Sequence, residues 1–498
     1  MLPTLRVEGR RHATTAAGLL HERTGAPRMS NTPTTPGGRS PLPTLFLTAF
    51  IDLLGFGLTI PLLPFYAQRY GASATEVSLL FASFSLMGFL FVPVWGELSD
   101  RVGRRPVLLT SIAATSASML LLAFSNSFAM LLLSRVLQGI MTANLSTIQA
   151  YIADVTRPED RARSMGMIGA AFGLGFILGP FFGGTLATYS LRAPGLAAAA
   201  LAAVNFLLAL RNLPESLNVR QAIVHSPVAG YREGPREPDL QEPFGPAVIG
   251  RVLLRQATLK PLREAFAQPE LGLLIAVFFL QSFAFTNLEA TFALYTRALF
   301  GFGPRETGFL FGYIGLLVVL VQGGVYGRLS RRFEELKLAQ AGMFLVASAM
   351  VLLMLLPRAP GLLSLLQGND PSFARRALPM WFILPLSSMG NALLNPSLSS
   401  ATSKRGRADR LGGTLGVQQS AGALARVLGP LTAGFAFDRF GPGAPMTVAA
   451  LGMIVAAFMV AVVPPVKRAE KEEPAGEEPA LATERAVAAG EERREFPR

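Results

Sequence analysis

Gly96-Glu97-Leu98-Ser99-Asp100-Arg101-Val102-Gly103-Arg104-Arg105 is a short basic stretch caught between two long apolar runs. The run before it, from about Val77 to Trp95, has one glycine, one proline and no charge; after it, Pro106 opens another from Val107 to Phe124. Each approaches the roughly 20 residues that cross a bilayer. The stretch therefore reads as a tight turn joining two transmembrane helices. Gly96 and Gly103 permit close approach or a sharp turn. Asp100 suits the positive end of a neighbouring helix, and Arg101, Arg104 and Arg105 hold the turn on the cytoplasmic, positive side.

Composition agrees with that reading. Of 498 residues, 51% are hydrophobic and 15% charged, and the mean hydropathy is +0.41, too apolar for a soluble protein of this size. The formal charge of +13 raises the question of nucleic acid. The basic residues cluster in turns between apolar runs, where membrane orientation explains them, and no nucleic-acid partner is expected. The chain has no cysteine, so disulfides, thiolate metal sites and cysteine nucleophiles are excluded. His12, His21 and His225 all lie outside the apolar runs, which removes histidine as an intramembrane proton carrier. No Gly-x4-Gly-Lys-Ser/Thr loop occurs, so nothing supports ATP drive, and no cofactor or metal is expected.

Outward from the opening stretch, apolar runs predict helices near 44–66, 75–96, 106–124, 128–150, 163–187 and 194–212, and six more near 270–298, 305–327, 337–357, 378–402, 410–436 and 443–465. The expected organisation is a polar tail over 1–40, a six-helix half over 41–213, a cytoplasmic linker over 214–268, a second six-helix half over 269–466 and a solvated tail over 467–498. Met29, followed by a polar stretch and then the first apolar run, is a second candidate start. The later part of the linker, from Val248 to Ala267, has the pattern of a basic amphipathic surface helix. An even helix count puts both termini on one side. Clusters at Arg101, Arg104 and Arg105, at Arg157, Arg161 and Arg163, at Arg328, Arg331, Arg332 and Lys337, and at Lys404, Arg405, Arg407 and Arg410 make that side cytoplasmic; only the 358–376 loop weakens the bias.

The halves repeat each other. Gly96-x-Leu98-Ser99 recurs as Gly327-x-Leu329-Ser330, with Arg331 where the acid stood; Gly139 and Asn144 recur as Gly390 and Asn395, and Gly179-Pro180 as Gly429-Pro430.

Polar residues inside apolar runs are costly and mark candidate function. Asp52 in the first run is a desolvated carboxyl with two available states, protonated or paired with a cationic substrate; the alternative is an acid at the interface. Arg135, with Gln138, lies in the fourth run, where it faces a partner or cavity or else snorkels to the outer surface. Glu289 in the seventh run, accompanied by Gln281 and Asn287, is a second acidic candidate. Asn391 and Asn395 in the tenth run and Gln418, Gln419 and Arg426 in the eleventh complete a polar set drawn from both halves. Gly166, Gly175, Gly179-Pro180 and Gly183 in the fifth run strip side chains from one helix face and bend the helix there.

These motifs carry a resemblance. Gly96 to Arg105 resembles the G-x-L-[SA]-D-R-x-G-R-[RK] signature of the major facilitator superfamily between its helices 2 and 3, with every fixed position met. The fifth-run glycines and Arg135-x-x-Gln138-Gly139 resemble signatures of its drug/proton antiporter branch, and the first run, with Asp52 and Pro61-Leu-Leu-Pro64, is similar to that of tetracycline-type exporters. The resemblance implies an all-α membrane protein of twelve transmembrane helices in two halves, with proton-coupled export of a small amphipathic solute by rocking about a central site. It implies a monomer in the plasma membrane, with substrate, protons and lipid as partners and no enzymatic activity. Uptake of a metabolite is the alternative on the same fold, and a non-transporting receptor or scaffold a more distant one. It also implies that Asp100 and Gly96 meet the start of the eleventh helix near Asp409 to Gly413 when the cytoplasmic faces close, and that Arg104 reaches toward Asp154 to hold the turn in shape.

Overall fold

A computed structural model describes residues 40–156, 158–216, 245–257, 263, 266–361, 364, 372–405 and 411–464. The two tails, most of the linker, Arg157 and Asp409 lie outside the described residues. The first six helices are α1 (Leu42–Gln68), α2 (Ala74–Val102), α3 (Arg104–Ala123), α4 (Phe128–Val155), α5 (Pro158–Tyr189) and α6 (Arg192–Asn212). The second six are α7 (Pro269–Phe300), α8 (Pro304–Arg332), α9 (Glu335–Arg358), α10 (Leu378–Arg405), α11 (Leu411–Phe440) and α12 (Ala444–Val462). Ten of these are both long and apolar enough to cross a membrane. The other two, α10 and α11, are long enough but less apolar, because they bury Ser, Asn and Gln side chains inside the bundle. A separate helix, Pro246–Ala257, occupies the later part of the linker and packs against α2.

The opening stretch departs from the expected turn. α2 continues as helix through Gly96 to Val102, and the joint is the single residue Gly103, at φ +108°. Within the helix Arg101 pairs with Glu97 at 2.7 Å, at the spacing of one helical turn, and across the joint Arg104 of α3 pairs with Asp100 at 2.5 Å. Only Gly103 takes the left-handed backbone that a one-residue corner needs.

The residues of the first half share an interior of Leu45, Leu108, Ile112, Ile148 and Tyr151; those of the second share one of Phe292, Tyr295, Met343, Met350 and Met453. The halves meet along two seams, α5 with α8 and α2 with α11. The first seam is a glycine zipper. A Cβ on Gly184 would lie 2.7 Å from the Pro304 carbonyl oxygen, one on Gly308 2.4 Å from that of Pro180, and one on Gly173 2.7 Å from Val319. Past that point the helices part: Gly166 and Gly169 on α5, and Gly323, Gly324 and Gly327 on α8, have no neighbour among the described residues within 4 Å of where a Cβ would stand. Gly96 on α2 and Gly416 on α11 are equally open. The bundle is thus closed on the distal face, away from the ends Pro41 and Val463, and splayed toward the terminal face. An apolar plug of Leu62, Phe65, Val77, Ala290 and Leu294 draws on both halves at the closed end.

Candidate functional site

α4 is broken. Its helix stops at Ile140 and restarts at Asn144, leaving Met141 to Ala143 outside the helical path. Broken backbone within a membrane needs other partners. The Trp95 indole donates to the Ile140 carbonyl at 2.6 Å, and the Ser111 hydroxyl donates to the Met141 carbonyl and accepts from the Ala143 N–H at 3.2 Å. The restart brings the Asn144 amide against α1, where its Nδ2 donates to Asp52 Oδ1 at 2.5 Å. Asp52 is half-buried, while Asn144 is buried. The Asp52 carboxyl thus sits beside the start of a half-helix, held there by the Asn144 amide.

The second half repeats this node without the acid. Gly57 of α1 packs on Gly179 of α5, and Thr286 of α7 packs on Gly429 of α11. Asp52 stands five residues before Gly57, and Gln281 stands five before Thr286. The Gln281 amide approaches Asn395 Oδ1 at 3.4 Å, as Asn144 approaches Asp52. Beside this amide pair lies a cavity of about 490 Å³ lined by Phe278, Gln322, Tyr326, Asn395, Pro396, Ser399 and Gln419, none of them charged. Gln322 reaches it from a π-turn over Val321–Val325 that interrupts α8, a distortion common at functional sites.

The remaining candidates fall in different surroundings. Arg135 is 2% exposed, inside the first half, with Ser134 Oγ at 3.5 Å and the Met119 sulfur at 4.0 Å. Gln138 and Gln418 are buried, each with one amide atom lacking a hydrogen-bond partner. On α11 it is Gln419, one position on, that lines the cavity. Asn287 is buried and donates to the Phe283 carbonyl of its own helix at 2.8 Å. Arg426, two helical turns beyond Gln419 and so on the same face, is exposed, and it interacts electrostatically with half-buried Glu289 of α7. Gly175, Gly179 and Gly183 all lie against α1, at Leu53, Gly57 and Leu58, beside the bend at Pro180.

At the joint after α2, Arg104 gathers three groups: Asp100 at 2.5 Å, Asp154 of α4 at 3.1 Å and the Ser99 hydroxyl at 2.6 Å. Glu215, just past α6, accepts from the backbone N–H groups of Arg104 and Arg105 at 3.0 and 3.2 Å and so caps α3. Ser216 donates to Asp154 at 3.2 Å. The start of the linker is thereby fastened to the joint. Asp100 pairs with Arg104, and among the described residues no neighbour lies within 4 Å of where a Cβ on Gly96 would stand; Asp409, at the expected meeting point, lies outside the described residues. Sequence reasoning did not single out Gln322, Tyr326, Ser399 or Glu215. The polar-glycine triplet Gln322-Gly323-Gly324 inside an apolar run was the available signal for the first of these.

Comparison with known proteins gives the same picture. The family model of the Major Facilitator Superfamily matches residues 45–430. The chain is 32% identical over 463 residues to major facilitator superfamily domain-containing protein 10 of Bos taurus, covering 86% of this chain and 94% of that protein. It is 30% identical over 390 residues to the class C tetracycline resistance protein of Escherichia coli, covering 77% and 86%. The crystal structure of the human organic anion transporter MFSD10 (TETRAN) superposes with a TM-score of 0.58 at 28% identity, covering 84% of this chain and 98% of that one. Two helical halves meeting along paired seams, a polar node built twice and a match over nearly the whole bundle describe an integral membrane transporter of small molecules and not an enzyme: the chain belongs to the major facilitator superfamily.

Proposed function

We propose that this chain is a proton-coupled exporter of a small amphipathic solute, with Asp52 as the coupling carboxylate. The carrying observation is the Asp52–Asn144 hydrogen bond at the break in α4, set against its all-amide counterpart in the second half. A group that alternately holds a proton and releases it must be ionisable, and of the two nodes only the first has one. The uncharged cavity beside Asn395 takes the neutral, hydrogen-bonding part of the solute, with Phe278 and Tyr326 supplying ring surface. The likeness to tetracycline resistance proteins supports export.

In this reading the termini and the Arg-rich helix ends are cytoplasmic, the protein is a monomer in the plasma membrane, and the splayed state opens inward. The halves over 41–213 and 269–466 rock about their seams, joined by the 214–268 linker, while Asp100, Arg101 and Arg104 with Asp154 shape the closing face. The test is tetracycline flux in proteoliposomes under an imposed proton gradient. Efflux driven by inward proton movement is expected from the natural chain and not from Asp52→Asn. Uptake in the direction of proton flow overturns export, and equal flux in the variant removes Asp52.

A second reading, transport of an organic anion, draws on Arg426, exposed on the Gln419 face of α11, and on the likeness to the human organic anion transporter. Competition between tetracycline and an anionic dye such as fluorescein separates the two, since only the second reading expects Arg426→Gln to abolish dye flux.

A further inference from the structure

We propose that Asp438, at the distal end of α11, is a one-sided staple that closes the distal gate by capping α2 of the other half. The first backbone N–H groups of a helix have no partner within it. On α2 the Ser73 hydroxyl takes the N–H of Glu76 at 3.2 Å, and Glu76 returns the bond to the Ser73 N–H at 2.8 Å. The two donors between them go to the opposite half. The Asp438 carboxylate accepts from the N–H of Ala74 at 3.0 Å, the N–H of Thr75 at 2.8 Å and the Thr75 hydroxyl at 2.6 Å. A negative charge also meets the positive end of α2. One turn earlier on α11, a Cβ on Gly434 would lie 2.5 Å from the Ala74 carbonyl oxygen, so the absence of a side chain there is what lets the carboxylate reach.

The other seam has the same backbone and no staple. Gly184 of α5 packs on Gly308 of α8 as Gly434 packs on α2, and four residues after each glycine stand Thr188 and Asp438. Thr188 bonds the Thr185 carbonyl of its own helix at 2.7 Å. The start of α8 is capped within its own half by Glu306, which accepts from the Gly303 N–H at 2.9 Å. The α2–α11 seam is therefore held at its distal end by charge and hydrogen bonds, and the α5–α8 seam by glycine packing and the Phe181–Phe309 ring contact, with no charge among the contacts described. When the distal face opens, Asp438 must leave the start of α2 and the seam with α8 need only slide.

This rests on the alternating-access reading, and the test separates the two. The chain has no native cysteine, so spin labels go on the otherwise unaltered full-length protein: Tyr189→Cys with Phe440→Cys across the distal face, Val102→Cys with Arg331→Cys across the terminal face. Asp438→Asn is expected to lower the ratio of distal-closed to distal-open molecules about tenfold, with the terminal distance shortening in step. Thr75→Val, which removes one of the three bonds, is expected to move the ratio the same way by less. An unchanged distal distribution in Asp438→Asn overturns the staple, and so does an unchanged one in Thr75→Val if Asp438→Asn does not fold. A distal distance that lengthens while the terminal distance stays fixed upholds the staple and overturns alternating access.

Discussion

Asp52 of α1 and Asn144 of α4 are joined by a 2.5 Å hydrogen bond at the point where α4 restarts after its break. The bond couples the state of one carboxyl group to the position of a half-helix. Asp52→Asn removes the titrating group while keeping a side chain of the same shape, so proton-driven tetracycline flux in proteoliposomes is expected to fall to background with the fold intact by circular dichroism. Asn144→Ala leaves the acid but removes a hydrogen bond to a charged group, worth roughly 1.5–3 kcal/mol. Its expected result is a shifted pH dependence of flux and not a dead protein.

Gly103→Ala is expected to destabilise the protein by about 1–3 kcal/mol, the usual cost of a strained backbone. The residue stands at φ +108°, and its new Cβ would lie 2.5 Å from Glu215 Oε2. Glu215→Ala uncaps α3, at a cost of about 1 kcal/mol. Because the clash and the cap involve the same carboxylate, the double variant is expected to lose less than the sum of the two. Thermal unfolding in detergent measures all three, and additivity would argue against the Glu215 cap.

The two glycine environments on α5 give a paired prediction. A Cβ on Gly179 would lie 2.6 Å from the Gly57 Cα, backbone against backbone, so Gly179→Ala must push α1 and α5 apart, at a cost of about 1–3 kcal/mol. Gly166 has open space in this state, and Gly166→Ala gains up to about 1 kcal/mol of helix propensity. A lower melting temperature for the first and an equal or higher one for the second is the expected outcome. Equal losses at both would mean that the α1–α5 contact is not what the glycines serve.

Asp100 is free to change partners because Arg104 keeps Asp154 and Ser99 without it. On the terminal face, Asp100→Asn is expected to reduce the terminal-closed population by a modest factor, corresponding to roughly 0.3–2 kcal/mol for a charge at a helix end. It should leave the Asp438 contact in the splayed state untouched. Spin labels at Val102→Cys and Arg331→Cys read this, and a terminal distance distribution identical to that of the parent would dismiss Asp100 as a latch.

Much was legible in the chain alone. The twelve helices, the doubled halves and the candidate acid at Asp52 follow from run length, repeated motifs and the cost of a charge in an apolar segment, all of which are local or periodic. What the chain could not give was rotation and partnership. Adjacent positions on a helix point about 100° apart, so Gln418 is buried between helices while Gln419 lines the cavity, and nothing in the local sequence separates them. The break in α4 depends on Ser111 and Trp95, which come from other helices to satisfy its backbone. Glu215 and Asp438 read as ordinary residues at helix ends until packing carries each to a helix start more than a hundred residues away, at Arg104 and at Ala74. Length and apolarity determine which segments enter the membrane. Which carboxylate meets which unpaired N–H is decided only when the helices pack.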